Sequence, residues 1–271
     1  MKTVQWMVGV VLLGMVCTPL LLIAQNDATI LVVSKFHRNP NVSPEPKDGE
    51  WRAIEKEYFD KVVMKNEYVV GANTLVHFFT DDNSEVLFLQ AYKSWGDIEK
   101  AEERNNELAR AAWPDSLKRQ AFFDRQNAFY TREHSDEIMT IMPYQKWLPV
   151  DTNRYVFYIR MGQRGYPKDG TNADFRTSMN EVLENLIKKN DYVKRYLIAT
   201  HMWGADSRQV MELTAFNSLT DLEKAFDKDE ELAKAHWPDE TKRKAFFDSF
   251  DRYFSPWHAD YIYHNVPGLR K

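Results

Sequence analysis

The chain has 271 residues, enough for two modest domains with their own hydrophobic cores. Its 36 Lys and Arg against 40 Asp and Glu give a net charge of -4, so there is no basic field for nucleic acid. Aromatic residues make up 14% and Gly and Pro are few, which argues against disorder over most of the length.

The chain opens on an export signal. Lys2 precedes an apolar run from Met7 to Ile23, interrupted by Pro19 and closing at Ala24 before the polar Gln25-Asn26-Asp27. A basic start, an apolar middle and a small residue at the cut predict cleavage after Ala24, with residues 1–24 as signal peptide. The competing reading is an uncleaved anchor, because the run is almost long enough to span a bilayer. After cleavage no segment for stable membrane insertion is left. The single cysteine, Cys17, lies inside the signal, so the mature chain has no disulfide and no thiolate chemistry. This composition fits a periplasmic or secreted bacterial protein.

Beyond the signal, the sequence matches itself under one fixed offset, the one that carries Asn66 onto Asn190. Lys65-Asn66-Glu67-Tyr68-Val69 falls on Lys189-Asn190-Asp191-Tyr192-Val193, and Asp97-Ile98-Glu99-Lys100-Ala101 on Asp221-Leu222-Glu223-Lys224-Ala225. Trp113-Pro114-Asp115 falls on Trp237-Pro238-Asp239, and Ala121-Phe122-Phe123-Asp124 on Ala245-Phe246-Phe247-Asp248. Several blocks in one register predict a tandem repeat over 28–143 and 152–271, with 144–151 as linker.

Each repeat opens on a run rich in β-branched and aromatic residues, predicting strands over 30–36 and 155–160. Trp51, Ile54, Tyr58 and Val62 stand at helical spacing, matched by a helix over 175–187. Two strands follow in each copy, 74–79 with 86–92 and 197–203 with 210–216, joined by polar turns. A long helical region comes next, with a capping pattern at Thr220 and Glu223 and a forced break at Pro114 and Pro238. A short strand closes each copy, over 138–142 and 261–266. The order β-α-β-β-α-β is that of a ferredoxin-like unit, with both helices on one face of a four-stranded sheet. The third strand carries two faces. Leu87, Leu89, Ala91 and Met211, Leu213, Ala215 form one wholly apolar face, assigned to the helices. The other holds Val86, Phe88, Gln90, Tyr92 and Val210, Glu212, Thr214, Phe216, assigned to the space between two sheets that cover each other.

With these blocks and this order, the chain resembles the dimeric α/β-barrel superfamily, with both halves fused in one polypeptide. The resemblance implies an α+β fold of two ferredoxin-like βαββαβ repeats packed sheet to sheet. Members include cofactor-free monooxygenases, haem-dependent chlorite-degrading and dye-decolourising enzymes, lactone isomerases and stress-responsive proteins. Their sites lie between sheet and helices or at the barrel mouth.

Three groups of residues are candidates for chemistry. His77 and His201 occupy equivalent places in mid-strand, where a half-buried imidazole serves as general base, as axial ligand to haem, or as a core group bonded to a carbonyl. His134-x-Asp136 and His258-x-Asp260 are placed where the last helix meets the last strand. There they either cap the helix and shape the turn, or form a carboxylate-oriented base if the side chains converge. Gln90, Tyr92, Glu212 and Thr214, joined by Tyr158 and Arg160, are expected to point between the sheets, with Arg160 pairing Glu212. No zinc, nucleotide or triad motif occurs, so neither a metal nor a nucleotide is expected. The function expected is binding of a small, largely apolar ligand in the barrel. Two alternatives stand beside it: an oxygenase or isomerase, without cofactor or with haem, and a non-catalytic scaffold. A cavity with convergent polar groups favours an enzyme, and a filled space between the sheets favours the scaffold.

Overall fold

The computed structural model describes residues 29–42, 48–148 and 150–271, so the signal peptide expected over 1–24 lies outside the described residues. Its first half runs β1 (Ile30–Arg38), α1 (Asp48–Lys61), β2 (Gly71–Phe79), β3 (Glu85–Tyr92), α2 (Gly96–Ala112), α3 (Ser116–Ala128) and β4 (Tyr130–Lys146). The second half runs β5 (Val156–Arg164), α4 (Asn172–Val182), β6 (Arg195–Trp203), β7 (Gln209–Phe216), α5 (Leu219–His236), α6 (Glu240–Asp251) and β8 (Phe254–Arg270).

The eight strands close one antiparallel barrel in the order β1-β3-β2-β8-β5-β7-β6-β4, and β4 returns to β1. Each half supplies four neighbouring strands. The halves join edge to edge through β2 on β8 and β4 on β6, which removes every open sheet edge.

The prolines act as their chemistry requires. Pro114 and Pro238 end α2 and α5, and the Asp that follows each caps the next helix. Asp115 accepts from the amides of Leu117 and Lys118, and Asp239 from that of Lys242. The preceding tryptophan packs flat on the new helix, Trp113 on Phe122 at 4.0 Å and Trp237 on Phe246 at 4.3 Å. The helical region is thus divided at the expected proline into two helices in each half. The cap of α5 is Ser218, which accepts from the Asp221 amide, and not Thr220, because the helix starts two residues earlier. The closing strands are far longer than expected. β4 and β8 each span 17 residues and begin at Tyr130 and Phe254, well before the expected 138 and 261.

The strand parity is the reverse of that expected. Leu87, Leu89, Ala91 and Met211, Leu213, Ala215 fill the barrel together with Leu31, Leu75, Phe157, Leu197 and Tyr263 in one core shared by both halves. Val86, Phe88 and Tyr92 face the helices of the first half, and Val210 and Phe216 those of the second. Both faces of these strands are buried, so no polar alternation marks the outside, and a slip of one residue exchanges the entire set. Size decides instead. The interior of an eight-stranded barrel is just wide enough for side chains, and it takes the aliphatic face. The bulkier aromatic and polar face goes to the wider layer beneath the helices.

Candidate functional site

The middle of the barrel is filled by the core shared between the halves, which leaves only a small space at one mouth in place of the ligand cavity expected between the sheets. Larger spaces open between the barrel wall and the helices, one in each half. Under α1 and α3 lies a cavity of about 360 Å3, and under α4, α5 and α6 one of about 1010 Å3.

The larger cavity gathers several expected residues, by a different geometry. Arg160 and Glu212 both line it, as does His258. They face each other in the register of β5 and β7, yet Arg160 pairs with Asp260 on its other neighbour, β8, at 3.1 Å. This corrects the expected Arg160–Glu212 pair. Asp260 is a hub. It accepts from Tyr158 Oη at 2.7 Å and from Arg160 Nε, and its other oxygen lies 3.3 Å from His258 Nε2. Burial would raise its pKa, but the donors Tyr158 and Arg160 outweigh burial and hold the carboxyl below its ordinary range.

The two His-x-Asp pairs stand inside β4 and β8, not at a helix cap, because those strands begin earlier than expected. Alternation then puts His and Asp on one face, and the side chains converge, at 3.3 Å in both halves. Their further bonds run across to β5 and β1 and not to local amides. Asp136 accepts from Ser34 Oγ at 2.5 Å, where the second half has Tyr158 and Arg160.

Glu212 sits deeper. Tyr196, which is buried, donates to it at 2.7 Å, and no other donor among the described residues bonds to it. Burial pushes the Tyr196 phenol well above its ordinary pKa, and the Glu212 charge adds to that. Asp229 lines the same cavity from α5. Burial raises its pKa and the neighbouring Glu212 raises it further, against a hydrogen bond from Asn190. Thr214 is buried under the helices and lines none of the described cavities.

In the first half, Gln90 lines the smaller cavity, and Tyr92, which is buried, donates to its Oε1 at 2.6 Å. Sequence reasoning missed the central group here, Glu55 on α1. It is only 5% exposed and accepts from Tyr130 Oη at 2.8 Å and Gln126 Nε2 at 3.2 Å, while Trp51 Nε1 donates to Tyr130 at 2.9 Å. Burial raises the Glu55 pKa despite those donors. A signal was present, since the offset that sets Glu212 against Phe88 also sets Glu55 against Met179.

His77 and His201 belong to neither cavity. They point into one end of the barrel, where His77 Nδ1 lies 2.7 Å from Thr80 Oγ1 and His201 Nδ1 is buried without a partner. An axial ligand must present a nitrogen to the haem face. These two line none of the described cavities, and both ring nitrogens of His258 are engaged, by Asp260 and by the Pro256 carbonyl. The residues at the helix-side cavities therefore do not fit a haem, and no step is derived through one. Among the described residues no group of three or more His, Cys, Asp and Glu is arranged to hold a metal ion.

The fold is that of the dimeric α/β-barrel proteins, built here in a single chain. No protein-family profile matches the sequence, and no curated protein matches it. Among solved structures, the chain is similar to a proposed monooxygenase from Fusobacterium nucleatum, with 8% identity, a TM-score of 0.54, and coverage of 90% of this chain and 97% of that one. It is similar also to a proposed monooxygenase from Lactobacillus acidophilus, at 9% identity and a TM-score of 0.52, covering 90% and 98%. A chlorite dismutase from Candidatus Nitrospira defluvii aligns at a TM-score of 0.48 and 9% identity over 89% and 93%.

Proposed function

We propose that the chain is an exported tandem duplication of a ferredoxin-like unit whose second half binds a small, largely apolar ligand carrying one hydroxyl or similar donor. The observation that carries this is the cavity of about 1010 Å3 beneath α5 and α6, with Phe247 and Phe250 in its wall and Glu212 in its depth. A cavity of that size is at the upper end of the range for a small-molecule site, and its wall sets apolar residues such as Met179, Leu186, Phe254 and Trp257 against charged ones such as Glu212, Arg160 and Asp229. Glu212 has acceptor capacity beyond its bond from Tyr196, and Arg160, fixed by Asp260, offers the cationic side of the pocket. The test is a titration with 1-naphthol, an apolar body with one donor. Saturable binding weakened severalfold in Glu212→Gln is the expected result. Absence of saturable binding, or unchanged affinity in the variant, refutes the reading. Export is checked by sequencing the mature N-terminus, expected at Gln25; a product retaining Lys2 refutes it.

A second reading rests on Glu55. A carboxylate whose pKa is raised by burial, in an apolar pocket with Phe36, Phe88 and Phe123, is suited to accept a proton from an acidic C–H or O–H. Tyr130 and Gln126 hold the carboxylate in place. The substrate carbanion so formed would give its electron pair to dioxygen, forming a C–O bond to a peroxide; with the proton returned, the O–O bond breaks and water leaves, so one oxygen atom stays as a carbonyl in the product and the other leaves as water. This makes the half a cofactor-free oxygenase, in line with the monooxygenase names of the similar structures. Oxygen uptake with an anthrone as probe, lost in Glu55→Gln, is the expected outcome. Uptake that is absent in the wild type, or equal in the variant, removes this activity.

A further inference from the structure

A third cavity, of about 140 Å3, opens at one mouth of the barrel. Its floor is the end of the barrel core, including Leu89, Phe157 and Leu213, and its polar wall is Asn73, Arg195, Arg270 and Lys271, the last with its ammonium donating to the Val63 and Asn66 carbonyls. Arg195 is the first residue of β6. Its counterpart under the repeat offset is Gly71, which lines the same cavity. One half thus inserts a guanidinium where the other has no side chain to fill the space.

Arg195 lacks an anionic complement. Among the described residues no carboxylate pairs with Arg195. Its guanidinium carbon lies 5.4 Å from the centre of the Trp147 ring, and its Nε is buried without an acceptor. Asn73, 5% exposed, has neither its amide oxygen nor its amide nitrogen hydrogen-bonded. Arg270 is held by Asp151 at 2.9 Å, and no acidic side chain lines the cavity. Burial first, and the Arg270 charge second, bring the Arg195 pKa down to about 10. Charges withdrawn from water are ordinarily paired and buried amides bonded, so a half-buried guanidinium with no carboxylate partner and an unbonded amide lining one cavity mark a place for an anion. The apolar floor sets the rest of the ligand, because a dry cavity of roughly 150 Å3 holds a benzene ring.

We propose that this barrel mouth binds a small organic carboxylate with a body of about one aromatic ring. The carboxylate meets the Arg195 guanidinium and the Asn73 amide, and the ring packs on Leu89, Phe157 and Leu213. Ala72, Asn73 and Leu89 also border the smaller helix-side cavity, but Arg195 lines the barrel mouth alone, so its substitution tests this site without touching the other two.

The experiment is calorimetric titration of the full mature chain with benzoate, with benzyl alcohol and inorganic phosphate at equal ionic strength for comparison. Benzoate is expected to bind saturably and at least about tenfold tighter than either, since only it has both charge and ring. Arg195→Met should weaken benzoate by about tenfold or more while leaving the ligand-free melting temperature equal or higher, because it removes a half-buried charge with no carboxylate partner. A purely structural Arg195 would show the opposite: a lower melting temperature with benzoate affinity retained. If Arg195→Met does not fold, Arg195→Lys keeps the charge but loses the forked geometry, and should weaken benzoate severalfold. The proposal is overturned if benzoate does not saturate, if phosphate binds as well, or if the substituted chain that folds keeps wild-type affinity.

Discussion

Replacing Asn190 by Ala tests how the wall of the large cavity is held. Asn190 is fully buried just beyond α4, and its side chain makes three hydrogen bonds, two of them to α5. Its Nδ2 donates to the Ala225 carbonyl at 2.9 Å and to Asp229 Oδ1 at 2.8 Å, and its Oδ1 accepts from the Tyr192 amide at 3.0 Å. Two of the partners lie on α5, so this one side chain pins the helix that carries Asp229 and Ala233 into the cavity. A net neutral hydrogen bond contributes about 1 kcal/mol and one to a charged group about 1.5–3, so the loss is about 3–5 kcal/mol. For a chain of this size that is a fall of roughly 10 °C in melting temperature. Asn66 makes the equivalent bonds in the first half, to Ala101, Asn105 and Tyr68, but its side-chain acceptor is an amide and not a carboxylate. Asn66→Ala should therefore cost less near pH 7. The Asp229 pKa is raised, so its charged form opposes folding, and this loss of stability sets in as pH rises through the folded value. Asn190 offsets part of that loss. The difference between the two variants should accordingly shrink as pH falls and Asp229 takes up its proton. Thermal melts by circular dichroism at ~pH 7 and ~pH 4 give the comparison. A loss below about 1 kcal/mol for Asn190→Ala, or equal losses in both halves at ~pH 7, would refute the reasoning.

Glu55→Gln should gain in stability over the wild type as pH rises. The folded carboxyl has its pKa raised by burial, so the wild type is favoured at acid pH and loses stability as Glu55 ionises, while the amide does not titrate; melting curves of both chains across ~pH 4–8 show whether the gap opens in that direction. At Gly165 a Cβ would meet the Arg252 carbonyl oxygen at 2.5 Å and the Phe254 amide at 3.2 Å, both backbone atoms, so Gly165→Ala should cost about 1–3 kcal/mol. Gly96→Ala, where a Cβ meets nothing within 4 Å, should be neutral or stabilise by up to about 1 kcal/mol, and denaturant midpoints of the two variants separate the cases.

How far the sequence could be read depended on what kind of signal each feature leaves. Element order was legible because turn prolines, capping aspartates and β-branched runs act over a few residues, as Trp113-Pro114-Asp115 does. The length of β4 and β8 was not, since His134-Ser135-Asp136-Glu137 is polar and reads as a turn until a neighbouring strand supplies bonding partners. The same misplacement hid the His-x-Asp pairs within their strands. Strand parity was illegible for another reason: with helices outside and a packed interior, both faces of β3 and β7 are buried. Comparison of the halves singled out Glu212, which is half-buried, but placed it between the sheets and not beneath the helices. Arg195 leaves no local signal at all, because a lone arginine at a strand start reads as surface until the fold turns it into the barrel mouth.

The edge-to-edge closure through β2 on β8 and β4 on β6 has a further consequence for a barrel carried on one polypeptide. Each sheet finds its partner at an effective concentration set by the connecting segment and not by how much protein is present. Closure is then unimolecular, and dilution does not open the barrel, unlike a barrel assembled from separate chains. Because the two sheets are not copies of one gene product, a residue in one half need not appear in the other. Glu55 can face Met179 across the pseudo-axis, and Arg195 can face Gly71, without either half having to tolerate both.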